Sequence, residues 1–168
     1  TILTANENFC SALGYSLDEI KGRHHKMFCE ADYVASNEYA GFWPRLAAGE
    51  FYADEFKRIT KDGSAIFIQA TYNPILNDEG KVIKVVKFAT DVSGRVRALQ
   101  EVGAGLERLA ECNIRLTIDD PFVPEFDHLR HDFNQSLAKF QETLEQVLTE
   151  TAMLSSKSGE MRASGDTG

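Results

Sequence analysis

Cysteine is scarce in this chain and forms no pattern: Cys10, Cys29 and Cys112 are an odd number with no C-x-x-C spacing. That serves neither a disulfide framework nor a zinc site, and it points to a reducing cytosol as the expected home. Cys10 and Cys112 fall in expected helices, where a thiol acts as a small apolar filler. Runs of basic residues are also missing. With a formal net charge of −8 the chain repels phosphate backbones, so no nucleic-acid partner is expected. There is no apolar run of about 18 residues, so nothing in the sequence is expected to span a membrane, and no signal-peptide pattern opens it. The catalytic signatures G-x-S-x-G, H-E-x-x-H and the phosphate loop are absent, as is any spaced histidine–carboxylate set with a nucleophile; the expectation is a protein that is not an enzyme.

What is present is an ordinary globular composition, 43% hydrophobic and 26% charged, with 11 phenylalanines against a single tryptophan. That balance predicts a packed aromatic core. The character of the sequence changes near residue 95. Before it, short segments are broken by turn signals. Thr1–Thr4 reads as the end of a strand. Asn6 caps a helix to about Leu13, stopped at Gly14. Ser16-Leu-Asp-Glu19 has the form of a capping box and opens a second short helix ended by Gly22. A loop, His24 to Asp32, precedes a helix from Ser36 to Leu46 that carries Tyr39, Phe42, Trp43 and Leu46 at helical spacing. Three strands follow, 50–60, 65–76 and 82–92, joined by the turns Lys61-Asp-Gly63 and Asn77-Asp-Glu-Gly80. This is an α+β plan, an antiparallel sheet with small helices on one face and a binding site between the two layers.

After residue 95 a helical period takes over. Val96 to about Ile114 is one helix, and 115–127 is a connector in which Pro121 and Pro124 interrupt any helix. A second helix starts near Asp127 and reaches at least Met161. Its apolar stripe (Phe133, Leu137, Phe140, Leu144, Val147, Thr151, Leu154, Ser158, Met161) is spaced alternately by four and three. A heptad sustained over that length predicts a seam buried against partner helices, and hence a homodimer.

Both halves resemble known families. Ala5-Asn-Glu-Asn-Phe9, Leu13-Gly-Tyr15, Lys61-Asp-Gly63 and the strand end Phe88-Ala-Thr-Asp-Val-Ser93 resemble a PAS domain lacking its first strand. Gly22-Arg-His-His-Lys-Met-Phe28, Glu38-Tyr-Ala-Gly-Phe-Trp43, Leu46-Ala-Ala-Gly-Glu50 and Gln69-Ala-Thr-Tyr-Asn-Pro74 are similar to PAS domains of bacterial chemotaxis transducers of the energy-taxis and biofilm-dispersal types. Glu107–Leu116 and Glu125–Asn134 resemble parts of a HAMP module. The organisation this implies is a PAS sensor over 1–97, a HAMP-like relay over 98–148 forming a parallel four-helix bundle in a dimer, and the start of a signalling stalk over 149–168. The implied partners are a downstream signalling domain in the same chain and, through it, a histidine kinase and coupling protein.

The resemblance also implies site residues. Trp43 occupies the place of a tryptophan that helps bind FAD in aerotaxis receptors, and an indole offers a flat face with an N–H donor. Arg23 and His24 or His25 would face the pyrophosphate or adenine end, while Asn73, Tyr72 and Gln69 could meet the ring edge or simply fix the strand. Haem b, ligated by His24 or His25, is the alternative, and a pocket without any cofactor is another. Cys29, four residues past His25, is either a partly activated thiol or an inert one. Asp91 and Ser93 would carry shifts in the sheet into the outgoing helix, with Pro124 and Glu125 setting the connector. His128 and His131 have metal-compatible spacing but lack a third ligand, so a solvated helix face is the better reading and no metal is expected.

Overall fold

The computed structural model describes residues 1–165; the last three residues of the expected stalk lie outside these. It divides into two units, Thr1–Val96 and Arg97–Gly168.

In the first unit, α1 (Glu7–Leu13) begins where the Asn6 side chain accepts the Phe9 N–H and ends at Gly14, whose φ of +77° is left-handed. α2 (Leu17–Ile20) carries the full capping box: Ser16 Oγ accepts from Glu19 N–H while a Glu19 carboxylate oxygen accepts from Ser16 N–H. Each satisfied donor is one the first helical turn would otherwise leave open. The segment expected as a loop holds a 3-10 turn, His25–Phe28, and a short α3 (Ala31–Val34). The His24 imidazole organises that turn by accepting the Lys26 N–H at 3.1 Å. α4 (Asn37–Ala47) is capped by Ser36 and buries Tyr39, Phe42 and Leu46.

Strands β1 (Tyr52–Ile59), β2 (Ala65–Leu76) and β3 (Val82–Asp91) form an antiparallel sheet in that order. Tyr52 pairs with Tyr72 and Ile59 with Ala65; on the other side Tyr72 pairs with Lys87. Period-two alternation turns Phe56, Arg58, Ile66, Ile68, Ala70 and Tyr72 toward the helices, where they meet Leu13, Ile20, Phe28, Phe42 and Leu46. The strand expected at Thr1–Thr4 does not form. Ile2 N–H donates to Arg23 O and Gly22 N–H to Ile2 O, both at 2.8 Å, so pairing is confined to a single residue.

In the second unit the chain continues along α5 (Ser93–Ala110), which starts three residues before the expected Val96 and stops before Ile114. It ends where Cys112 takes a φ of +62°, and Asn113 N–H folds back to Arg108 O at 2.8 Å. α6 (Asp127–Gly165) is 39 residues long, about 58 Å at 1.5 Å per residue. Ile118 and Phe122 of the connector are buried with Ala98, and Gly105 is buried against the Phe133 ring. Gly105 meets Phe133, and further along Ile114 O accepts from the Gln141 amide. Contacts therefore advance in the same order along both segments, and the two helices run parallel.

Most of the α6 stripe faces outward in the single chain. Leu137 is buried, whereas Phe140, Val147, Leu154 and Met161 are 44, 52, 69 and 71% exposed. No helix among the described residues is long and apolar enough to cross a membrane.

Candidate functional site

The inner face of the sheet carries a shell of aromatic rings centred on Phe42. Its ring lies 4.8 Å from Tyr72, 5.0 Å from Trp43 and 5.4 Å from Tyr52, in each case edge-to-face. This arrangement is favoured because the positive edge of one ring meets the negative face of the next. His25 sits inside the shell, stacked 6.3 Å from Phe42 and 6.5 Å from Tyr39. It is buried, with Nε2 3.1 Å from the Tyr72 hydroxyl and Nδ1 3.8 Å from Cys29 Sγ. Burial, reinforced by the Lys87 and Arg58 charges, depresses its pKa to about 2, so the ring is neutral. The adjacent His24 is exposed. The sequence treats the two histidines alike; the fold makes one a core residue and the other a turn cap.

Two cations share this interior. Arg58 is 1% exposed. Its Nη2 donates to the Tyr72 hydroxyl at 3.3 Å and its Nη1 to Lys57 O at 3.0 Å, while Nε has no partner. Lys87 is partly exposed along its stem, but Nζ is sealed from solvent and unpartnered, 5.0 Å from the Phe9 ring centre and 5.1 Å from that of Tyr72. Burial lowers the Lys87 pKa to about 7, with the Arg58 charge contributing. Tyr72, also buried, is pushed up to about 12 by desolvation against the opposing pull of Arg58. Burial raises the Cys29 thiol as well, so the residue is not an activated nucleophile.

Sequence reasoning singled out neither Arg58 nor Lys87. The signal was available in strand parity: Arg58 falls two residues after Phe56, and Lys87 two after Val85, on the alternating set that faces the helices. A charged residue at a core parity position is the informative kind of exception.

Trp43 and His24 meet at a separate feature, a cleft of about 350 Å³ lined also by Thr1, Leu46, Ala47, Val82, Ile83, Lys84 and Val85. Their rings are 5.9 Å apart. The Trp43 indole Nε1 is buried and bears on the Tyr39 hydroxyl, itself buried. Other sequence candidates do not join them. Tyr72 and His25 lie in the core and bond each other. The Asn73 amide is spent within the sheet, donating to Thr71 Oγ1 and Val86 O, both at 3.2 Å. Arg23 and Gln69 are exposed.

At the sheet–helix junction Ser93 Oγ accepts the Phe67 N–H of β2 at 2.9 Å, and Asp91 Oδ1 accepts the Ser93 N–H at 2.9 Å. The first turn of α5 is thereby pinned to the middle of the sheet. Pro124 and Glu125 lie in the exposed turn before α6, across which the Asp127 carboxylate accepts the Phe122 N–H at 2.9 Å. His128 and His131 are both exposed, and His131 Nε2 lies 3.2 Å from Asp127. No group of three or more His, Cys, Asp or Glu suited to a metal occurs among the described residues.

A three-stranded antiparallel sheet with one face filled by short helices defines an α+β class. The PAS fold family matches residues 2–89, and the chain belongs to it. The biofilm dispersion protein BdlA of Pseudomonas aeruginosa is 39% identical over 118 residues, 70% of this chain and 28% of that protein. The aerotaxis receptor of Escherichia coli is 31% identical over 108 residues, 64% of this chain and 20% of that one. The chain thus spans less than a third of either relative. Among solved structures, an RNA-binding light-oxygen-voltage receptor superposes with a TM-score of 0.53 at 23% identity, over 68% of this chain and 31% of that one, which is a likeness of fold.

Proposed function

We propose that the chain is the input and relay section of a cytoplasmic bacterial chemotaxis transducer, one that senses redox state or oxygen and performs no catalysis. The observation that carries this reading is the Ser93 pin. A hydroxyl in the first turn of α5 bonds the backbone of a central strand, so a shift of β2 must displace the helix. The similarity to the biofilm dispersion protein and the aerotaxis receptor supports the same reading. In it, residues 1–97 sense and 98–148 act as a HAMP-like relay in a homodimer. Residues 149–168 begin the stalk toward a signalling domain that engages a histidine kinase and coupling protein. The parallel run of α5 and α6 and the outward stripe of α6 support the dimeric bundle, whose connector Pro124 and Glu125 would set.

The proposed cofactor is FAD. Trp43 and His24 offer flat ring surfaces to a heteroaromatic group at the cleft, and Lys84 offers a cation for its phosphates. Bound flavin would supply reversible electron transfer, while these side chains orient it and limit water. At about 350 Å³ the cleft lies within the volumes usual for ligand sites, roughly 300–1,000 Å³, enough for the flavin ring system. Haem b is less well served, because the His25 Nε2 already faces the Tyr72 hydroxyl.

The test is an absorption spectrum of the purified full-length protein before and after dithionite, with hydrogen exchange along α5 in both states. Flavin bands that bleach, accompanied by altered α5 exchange that Ser93→Ala abolishes, are expected. A colourless protein removes the redox input in favour of a cofactor-free scaffold, and α5 exchange indifferent to Ser93→Ala removes the relay.

A further inference from the structure

Two cations are buried on the inner face of the sheet without any anion to balance them. Among the described residues no carboxylate lies within 4 Å of Arg58 or Lys87. Glu30 and Glu55 are exposed and bond other cations, Lys57 and Arg95. The groups that do bear on the pair are Tyr72, Tyr33, Cys29 and His25, all neutral at pH 7. A desolvated ion costs several kcal/mol unless an opposite charge compensates it, and two like charges raise that cost. Lys87 can shed its proton; Arg58 cannot, because a guanidinium stays charged at any physiological pH.

We propose that this interior is an anion site, in which Arg58 and Lys87 together bind the carboxylate of a compact organic acid. A planar carboxylate matches the guanidinium fork, whose Nε is free, and can accept from Lys87 Nζ at the same time. The Tyr33 ring lies 5.4 Å from the guanidinium carbon, its hydroxyl buried beside the same site. The guanidinium carbon of Arg58 lies over the Phe56 ring at 4.6 Å and Lys87 Nζ over the Phe9 and Tyr72 rings at 5.0 and 5.1 Å, so the surroundings of both cations are aromatic, which suits an organic acid rather than a hydrated phosphate. Neither cation lines the Trp43 cleft, so the site is additional to the redox reading and does not depend on it. A colourless protein would leave it standing.

Binding also takes up a proton. Lys87 has a pKa of about 7 and is about half neutral at pH 7, and a carboxylate beside it restores its charge.

The experiment is titration calorimetry of the full-length protein with sodium benzoate, with chloride and inorganic phosphate at matched ionic strength. Runs at pH 7 in two buffers of different ionisation enthalpy count the protons. Benzoate is expected to bind where chloride does not, with roughly half a proton taken up per site. Lys87→Met, which replaces the cation by an apolar chain of similar length, is expected to weaken benzoate at least about tenfold and abolish the proton uptake; its melting curve verifies that it folds. Heats no different from chloride, a response to phosphate alone, or unchanged benzoate binding by a folded Lys87→Met would each overturn the assignment.

Discussion

Phe42 of the first unit is enclosed by the rings of His25, Tyr39, Trp43, Tyr52, Phe56 and Tyr72, whereas Phe140 of the second stands nearly half exposed on α6. Both are phenylalanines at core positions of a helical period, about 3.6 for α4 and 3.5 for the heptad of α6. The difference lies in what closes over them. Three strands and four short helices fold back over one face and bury their apolar groups within a single chain. Among the described residues, two parallel helices and a connector bury only Ala98, Gly105, Ile118, Phe122 and Leu137 by themselves. A sheet with a helical cover is self-sufficient at this size. A long helix is not, and its heptad gains most from a second copy.

That comparison can be broken in graded steps. The largest effect is expected from Phe42→Ala, which should cost the first unit about 3–5 kcal/mol, read in urea titrations through Trp43, the sole tryptophan. A loss below about 1 kcal/mol would mean the aromatic shell is loosely packed. Next comes Gly105→Ala. An added Cβ would stand 2.5 Å from Phe133 Cζ, so overpacking of about 1–3 kcal/mol is expected in the helical signal with the Trp43 transition unmoved. Should the tryptophan signal shift equally, the two units are not energetically separate.

A pH series sharpens the contrast further. Lys87 is held near 7 in the folded chain against an ordinary 10.5, so between those values the unfolded chain binds more protons. Stability of the first unit should therefore rise as pH climbs from about 7 to about 10, and Lys87→Met should flatten that rise. His25 acts in the same sense lower down. Its folded pKa of about 2 lies below the ordinary 6.5, so stability should fall as pH drops below about 6.5. The smallest effect is expected for Leu154→Lys, far along the exposed stripe: no measurable change in the Trp43 transition, but a shift toward monomer in sedimentation. A monomeric parent protein would remove the dimer from the proposal.

Much of the first unit was legible because its punctuation is chemical and local. Asn6, Gly14, the Ser16–Glu19 box and the two hairpin turns act within a few residues, and each lies where the sequence places it. What was not legible depends on partners distant in the chain. Nothing local separates His24 from His25; their fates are decided by Tyr72, 47 residues beyond His25, and by Trp43. Arg58 and Lys87 stand at core parity in their strands, but only the helices and rings packed over that face seal their charged ends from water. Asn73 looks available to a ligand until Val86 O, across the ladder, takes up its amide. The short helix at Ala31–Val34 went unread because it has no side-chain cap to announce it.

Asn134 of α6 pairs with the connector as one strand pairs with another. Its Nδ2 donates to Ile118 O at 2.8 Å and its Oδ1 accepts from Ile118 N–H at 2.9 Å. The two bonds have opposite polarity, so the amide can be seated one way round only, and a slip of the connector by one residue would bring a different backbone unit opposite it. The numbers of residues from Ala110 to Ile118 and from Ile118 to Asp127 are consequently two independent lengths, each fixed by a single side chain. Replacing that side chain by aspartate, a change of one atom, sets oxygen against oxygen at the carbonyl and turns a two-way lock into a one-sided hold.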